Sequence, residues 1–245
     1  MNQQEIRQRT THENEEVSGY LSEWEQFVWL HRGVLHPFLA KFAVSRNAEF
    51  NAMLFSEFYC FIRYLPFYIS GMALLTRDEK ILREIVVNVN EEVGGKHDRS
   101  HLNIYRDFLR DIGVSLNSLK DYRCLPTTRA LDGAVKRLYT SGVITTAMGA
   151  MFALESMSSR MVAYLDDGLV AQGCSSDTRL FFTIHRVSEI GHANGVYNVV
   201  GEHLESPINK EQFEFGIKAF MKAVEEFWDG ISAAIQLDVP ERTIS

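Results

Sequence analysis

Three side chains in the run from Ile184 to His192 are of the right types, at the right spacing, to hold metal ions. His185, Glu189 and His192 are spaced i, i+4 and i+7, so on a helix they project from one face in successive turns. Two imidazoles and a carboxylate on one stripe can reach ions lying along the helix axis. A solvated face rich in histidine is the plainer alternative. The apolar flank of Phe181, Phe182 and Ile184 speaks against it.

A second group lies in Asn90-Glu91-Glu92-Val93-Gly94-Gly95, followed by His101. Leu82, Ile85, Val89 and Glu92 recur at helical steps, which predicts that Glu92 faces the core while Glu91 shares a side with Glu84 and Asn88. His101 begins the next helix and comes close if the glycine loop folds back. Taken alone, these residues read equally well as an exposed acidic helix end and an unremarkable first-turn histidine. A third candidate is Glu155, preceded by Met148, Met151 and Phe152 on one apolar face. A carboxylate placed there needs a cation or donors, because burying an unpaired charge costs several kcal/mol. An ion pair with Arg160 is the alternative to a metal.

Jointly the groups say more than any one does. Glu92, His101, Glu155, His185, Glu189 and His192 amount to three carboxylates and three imidazoles on inward faces of four helices. Such N/O ligation without thiolates suits iron or manganese better than structural zinc. Six ligands are too many for one catalytic ion and suit two with open positions. Glu189-x-x-His192 is also the Glu-x-x-His element of di-metal carboxylate bundles. His97 and Glu91 are the reserve candidates. Arg63, inside Phe61-Ile62-Arg63-Tyr64-Leu65, is a candidate anchor for a substrate carboxylate, with an ion pair to Glu57 or Glu84 as the structural alternative.

These residues need long helices to position them, and the sequence supplies them. Helical periodicity is expected over 13–30, over 47–75 with a kink at Pro66, from Asp78 to Gly94, from Ser100 to Ile112, over 130–139, over 143–165, from Asp177 to His203 and over 208–235. Asp166-Asp167-Gly168 is expected to be a loop. No β alternation is evident, so the fold class is all-α, with a polar N-terminal tail at 1–12 and one helical domain at 13–240. No apolar stretch of about 18 residues lacks charge, and the N-terminal dozen residues hold no secretory apolar core, so neither a membrane span nor a secretion signal is expected. Cys60, Cys124 and Cys174 are odd in number and far apart, which suggests no disulfide and fits a reducing cytoplasm. A net charge of −7 without a basic run argues against nucleic acid. A small-molecule substrate is the expected partner, and a homodimer is compatible with the sequence.

From His36-Pro37-Phe38 to His203 the chain resembles the haem-oxygenase-like di-metal oxidases, relatives of thiaminase II and of pyrroloquinoline-quinone biosynthesis protein C. The family pattern is a Glu before a glycine loop, a His about ten residues on, a Glu on a later helix, then His-x-x-x-Asp/Glu-x-x-His. Glu92, His101, Glu155, His185, Glu189 and His192 match it. Two departures are a slightly short Glu92-to-His101 interval and Glu189 where Asp is commoner. The resemblance implies a bundle of about seven helices without haem. It also implies two Fe(II) ions, with manganese as an option, and dioxygen as co-substrate. Related enzymes make alkenes from fatty acids, fragment lysine derivatives, N-hydroxylate arginine or form a nitrile from a halogenated tryptophan. An amino-acid-derived substrate, with an aromatic one as an option, and oxidative C–C or C–N cleavage are therefore expected. The alternatives are an N-oxygenase, a cofactorless member of the fold, or a thiaminase-like enzyme with Cys60 as nucleophile.

Overall fold

The structure is a computed structural model that describes residues 3–95, 99–140, 142–186, 199–201, 203, 204 and 206–235, with side chains from residue 16 onward. His97, Glu189 and His192 lie outside the described residues. The helices are α1 (Gln3–Leu30), α2 (Pro37–Phe42), α3 (Asn51–Ile62), α4 (Leu65–Gly71), α5 (Glu79–Glu92), α6 (His101–Asp111), α7 (Pro126–Thr140) and α8 (Ile144–Ala171). Residues 180–186 are helical and are called α9, and α10 is Pro207–Ala234. No strand occurs among the described residues, and no helix there is long and apolar enough to cross a membrane.

The described residues thus form about ten helices rather than about seven. Pro66 accounts for part of the difference. The expected single kinked helix is divided at Arg63 and Tyr64, and Pro66 sits in the first turn of α4. There its missing N–H costs nothing, and its fixed φ favours starting a helix over continuing one. At the other end of the chain, α1 takes in most of the polar stretch set apart as a tail. Glutamine, glutamate and arginine are good helix formers, so α1 propagates through it without an apolar stripe.

α8 is the axis of the bundle. It is buried nearly all round, from Thr145 to Leu169, and packs on α10, α7, α1 and α2. Its crossing with α10 is very close: a Cβ on Gly149 would overlap the Phe213 carbonyl, and one on Gly216 the Thr146 carbonyl. α8 also runs to Ala171, through the Asp166-Asp167-Gly168 stretch expected to be a loop. Gly168 is there because a Cβ would meet the Phe42 ring of α2, so the glycine permits a close approach rather than a turn. An aromatic cluster of Phe55, Tyr105, Phe108 and Phe182 ties α3, α6 and α9 together with edge-on ring contacts.

A further correction concerns the cysteines. Cys60 and Cys124 form a disulfide across Cα atoms 6.7 Å apart, and Cys174 is free. The buried Glu57 carboxylate, one turn before Cys60, accepts from the Tyr122 hydroxyl at 2.7 Å, from Leu125 N–H at 3.1 Å and from the Thr128 hydroxyl. It thereby draws the segment 122–128 across α3 and sets Cys124 beside Cys60. The two cysteines are 64 residues apart in sequence, so no local pattern announces the pairing.

Candidate metal centre

Glu92 is the last residue of α5 and His101 the first of α6. The turn between them brings His101 Nδ1 to 3.3 Å from Glu92 Oε1. α6 starts where it does because the Ser100 hydroxyl caps it, accepting from Asn103 N–H at 3.2 Å. α9 delivers the third group, with the His185 ring centroid 4.6 Å from that of His101. Glu92, His101 and His185 each offer one ligand atom within 4.8 Å of the others.

The His185 ring is held in a defined tautomer. Its Nδ1 lies 2.7 Å from the Phe181 carbonyl oxygen, which can only accept, so Nδ1 carries the proton. The lone pair for a metal is then on Nε2, an arrangement usual among metal-bound histidines. The Phe181 ring supports the imidazole from one side, with centroids 4.1 Å apart. The clamp behind α9 is ionic. The Asp166 carboxylate, buried on α8, pairs with Arg179 and with Arg186 at 3.3 Å, and Arg186 also meets Asp167 at 2.7 Å. These arginines stand on either side of His185 in sequence and fix α9 to α8.

Glu155 lines the same cavity as Glu92, His101 and His185. The cavity measures about 60 Å³, and its remaining walls are mainly Phe58, Phe61, Leu65, Ile69, Met157 and Met161 from α3, α4 and α8. No lysine or arginine is among the described residues that line it. Two carboxylates and two imidazoles on a wall that is otherwise mostly apolar suit a divalent cation well, and the oxygen and nitrogen donors suit iron. Arg160 lies with its guanidinium 4.0 Å above the Trp29 ring.

The cavity gathers four of the residues picked out by the sequence: Glu92, His101, Glu155 and His185. The phase expected for α5 needs correction. The buried face of that helix carries Ile81, Ile85, Asn88 and Glu91, whereas Leu82 is exposed and Glu92 half-buried. Glu92 reaches the site from the edge of the helix because it ends α5 beside His101. Arg63 follows α3 as its C-cap and is not among the residues lining the cavity. Its guanidinium lies 4.8 Å from the Tyr64 ring centroid. The expected Glu57 partner is engaged with segment 122–128 instead. Cys60, buried and in a disulfide, does not line the cavity either, so it is no nucleophile there. Sequence reasoning missed the Asp166 clamp. Its signal was the 11-residue step from Glu155, three helical turns that place both acids on one side of α8.

Residues 53–225 match the model of a family described as iron-containing redox enzymes. The chain belongs to that family. This iron-containing redox enzyme is 43% identical over 227 residues to 4-chloro-allylglycine synthase of Streptantibioticus cattleyicolor, covering 92% of this chain and 88% of the relative. Among solved structures, a CADD-like protein of unknown function from Nostoc punctiforme superposes with a TM-score of 0.77 at 18% identity, covering 89% of this chain and 98% of that one. A domain of unknown function with a haem-oxygenase-like fold from Shewanella denitrificans superposes with a TM-score of 0.67 at 14% identity, covering 89% and 93%. The fold of this iron oxidoreductase is haem-oxygenase-like.

Proposed function

We propose that the protein binds two iron ions between α5, α6, α8 and α9 and uses dioxygen to cleave a C–C bond of a small aliphatic amino acid, leaving an alkene. The observation that carries this reading is the convergence of Glu92, His101 and His185 within 4.8 Å, with Glu155 on the same cavity wall. Glu92, His101, Glu155 and His185, with Glu189 and His192, are the ligands in this reading. Iron supplies the one-electron chemistry that dioxygen needs in order to react with a closed-shell substrate. The chain's own residues bind and orient. The Phe181 carbonyl keeps Nε2 of His185 available, and the apolar wall from Phe58 to Met161 excludes water from the substrate chain.

Support for an aliphatic amino acid over the aromatic one considered from the sequence comes from the similar relative. The relative's name denotes a chlorinated, unsaturated aliphatic amino acid.

Anaerobic loading with ferrous iron tests the reading. The expected result is about two ions per chain, and oxygen consumption that rises when the matching amino acid is added. His185→Ala or His192→Ala should lose an ion and nearly all turnover. Full turnover in either variant, or in metal-stripped protein, would refute the di-iron reading.

A further inference from the structure

A second, smaller cavity of about 20 Å³ has walls that include Met72, Glu84, Ile85, Met148, Met151 and Val199. Three elements line both this cavity and the one at the candidate metal centre. On α8, Met151 lines the small cavity, and Leu154 and Glu155 line the large one. On α5, Ile85 lines the small cavity and Glu92 the large one. Ile69 of α4 lines the large cavity, and Met72, in the 3-10 turn that follows α4, lines the small one. Met151 and Glu155 are four residues apart, about 6 Å along a helix axis. The two cavities are therefore neighbours, separated by about one helical turn between the same helices.

The chemistry of the small cavity is apolar. Glu84 is the one polar residue among the described side chains that line it, and no polar atom faces into it. It has room for a molecule the size of water, but a buried water needs about two to four polar partners. Apolar cavities stay dry and take apolar guests such as xenon. Dioxygen is such a guest, apolar and close to water in size. Met72, Met148 and Met151 have unbranched side chains with three rotatable bonds, so they can swing aside for a diatomic while the helices stay in place.

We infer that the cavity between Met72, Ile85 and Met151 is a dioxygen site, from which the gas passes along α8 to the metal centre. The inference rests on the proposed reading of the protein as a dioxygen-using iron enzyme. A separate site for the gas keeps its supply open when the amino acid fills the larger cavity.

The test uses xenon as the probe of occupancy and dioxygen kinetics as the probe of function. A xenon-pressurised crystal of the wild type should show xenon against Met72 and Met151, and Ile85→Phe, whose ring fills the cavity, should show none there. Ile85→Phe and Met151→Phe fill it from α5 and from α8. Each should lower kcat/KM for dioxygen about tenfold while KM for the amino acid and the iron content stay at wild-type values. Ile85→Ala enlarges the cavity and should keep kcat/KM for dioxygen at or above wild type, although it lowers the thermal midpoint. Packing damage alone would lower it in the alanine variant as well, so equal losses in Ile85→Ala and Ile85→Phe overturn the inference. An absence of xenon from the wild-type cavity, or wild-type kcat/KM for dioxygen in the folded phenylalanine variants, overturns it too and leaves the iron reading standing. Iron-loaded wild type that consumes no oxygen across the aliphatic amino acids overturns both.

Discussion

His101 Nδ1 lies 3.3 Å from Glu92 Oε1, so the last residue of α5 meets the first residue of α6 on the wall of the cavity. Two ligand-type groups on adjoining helix ends depend on the turn between them, and a shared ion would tie that turn down. The neighbouring Glu91 lies on the buried face of α5 and is not part of the three-residue cluster. Glu92→Gln should weaken iron binding by more than about tenfold, whereas Glu91→Gln should keep the wild-type stoichiometry. Measured iron content after anaerobic loading distinguishes them, and the reverse pattern would put Glu91 in the site.

Asp166 should matter through the geometry of α9. Its carboxylate is buried and pairs with both Arg179 and Arg186. Breaking one side of a buried ionic cluster costs about 3–5 kcal/mol, reduced here because Arg186 is partly exposed. Asp166→Asn should therefore lower the thermal midpoint by several degrees and also weaken metal binding at His185. A midpoint and an iron affinity both unchanged would show that α9 is held by its aromatic contacts alone.

Arg63 is expected to be scaffold. A lysine there keeps the charge but loses the planar face set against Tyr64, worth about 0.5–1 kcal/mol. Arg63→Lys should lower thermal stability slightly and leave KM within about twofold of wild type. A sharp rise in KM with stability intact would restore it as a substrate anchor.

Stability of the metal-free protein should fall as pH drops below neutrality. The His36 Nδ1 accepts from Phe38 N–H at 3.1 Å, capping α2, and His31 Nδ1 accepts from Gly33 N–H at 3.0 Å. Each must be unprotonated to do so. Burial lowers both imidazoles below their ordinary value, outweighing the nearby Asp229 and Glu225 carboxylates. A group whose folded pKa is depressed contributes stability above its unfolded pKa, here about 6.5, and loses it as pH falls through the folded value. The thermal midpoint should therefore drop as pH falls through about 6.5 and below. His36→Asn, whose side-chain oxygen can cap without titrating, should flatten the drop. Equal slopes in wild type and variant would remove His36 as the cause.

Much of this was legible in the sequence because it is local. Helical periodicity and the helix starts at Asp78 and Ser100 each depend on neighbours within a turn. The inward position of Glu155 was legible for the same reason, since it follows from spacing on an amphipathic helix. Errors arose where a local sign had a distant cause. Gly168 looked like a loop residue and is a contact point for Phe42. The α5 stripe looked as if it ended on Glu92, yet the buried face carries Glu91.

The sequence by itself determined the all-helical class, the absence of thiolate ligation among the candidate residues, and the set of carboxylates and imidazoles from which a metal centre is drawn. These follow from residue types and helical period alone. Only the tertiary structure decided that Glu92, His101 and His185 converge, that Cys124 meets Cys60, and that Arg63 stands off the cavity. Each of these depends on how helices far apart in the chain pack. That packing is set by close contacts such as Gly149 on Phe213 and by buried polar links such as Glu57 to Thr128 and Asp166 to Arg179. Such contacts join residues that no periodic pattern relates, so their energies appear only once the chain is folded.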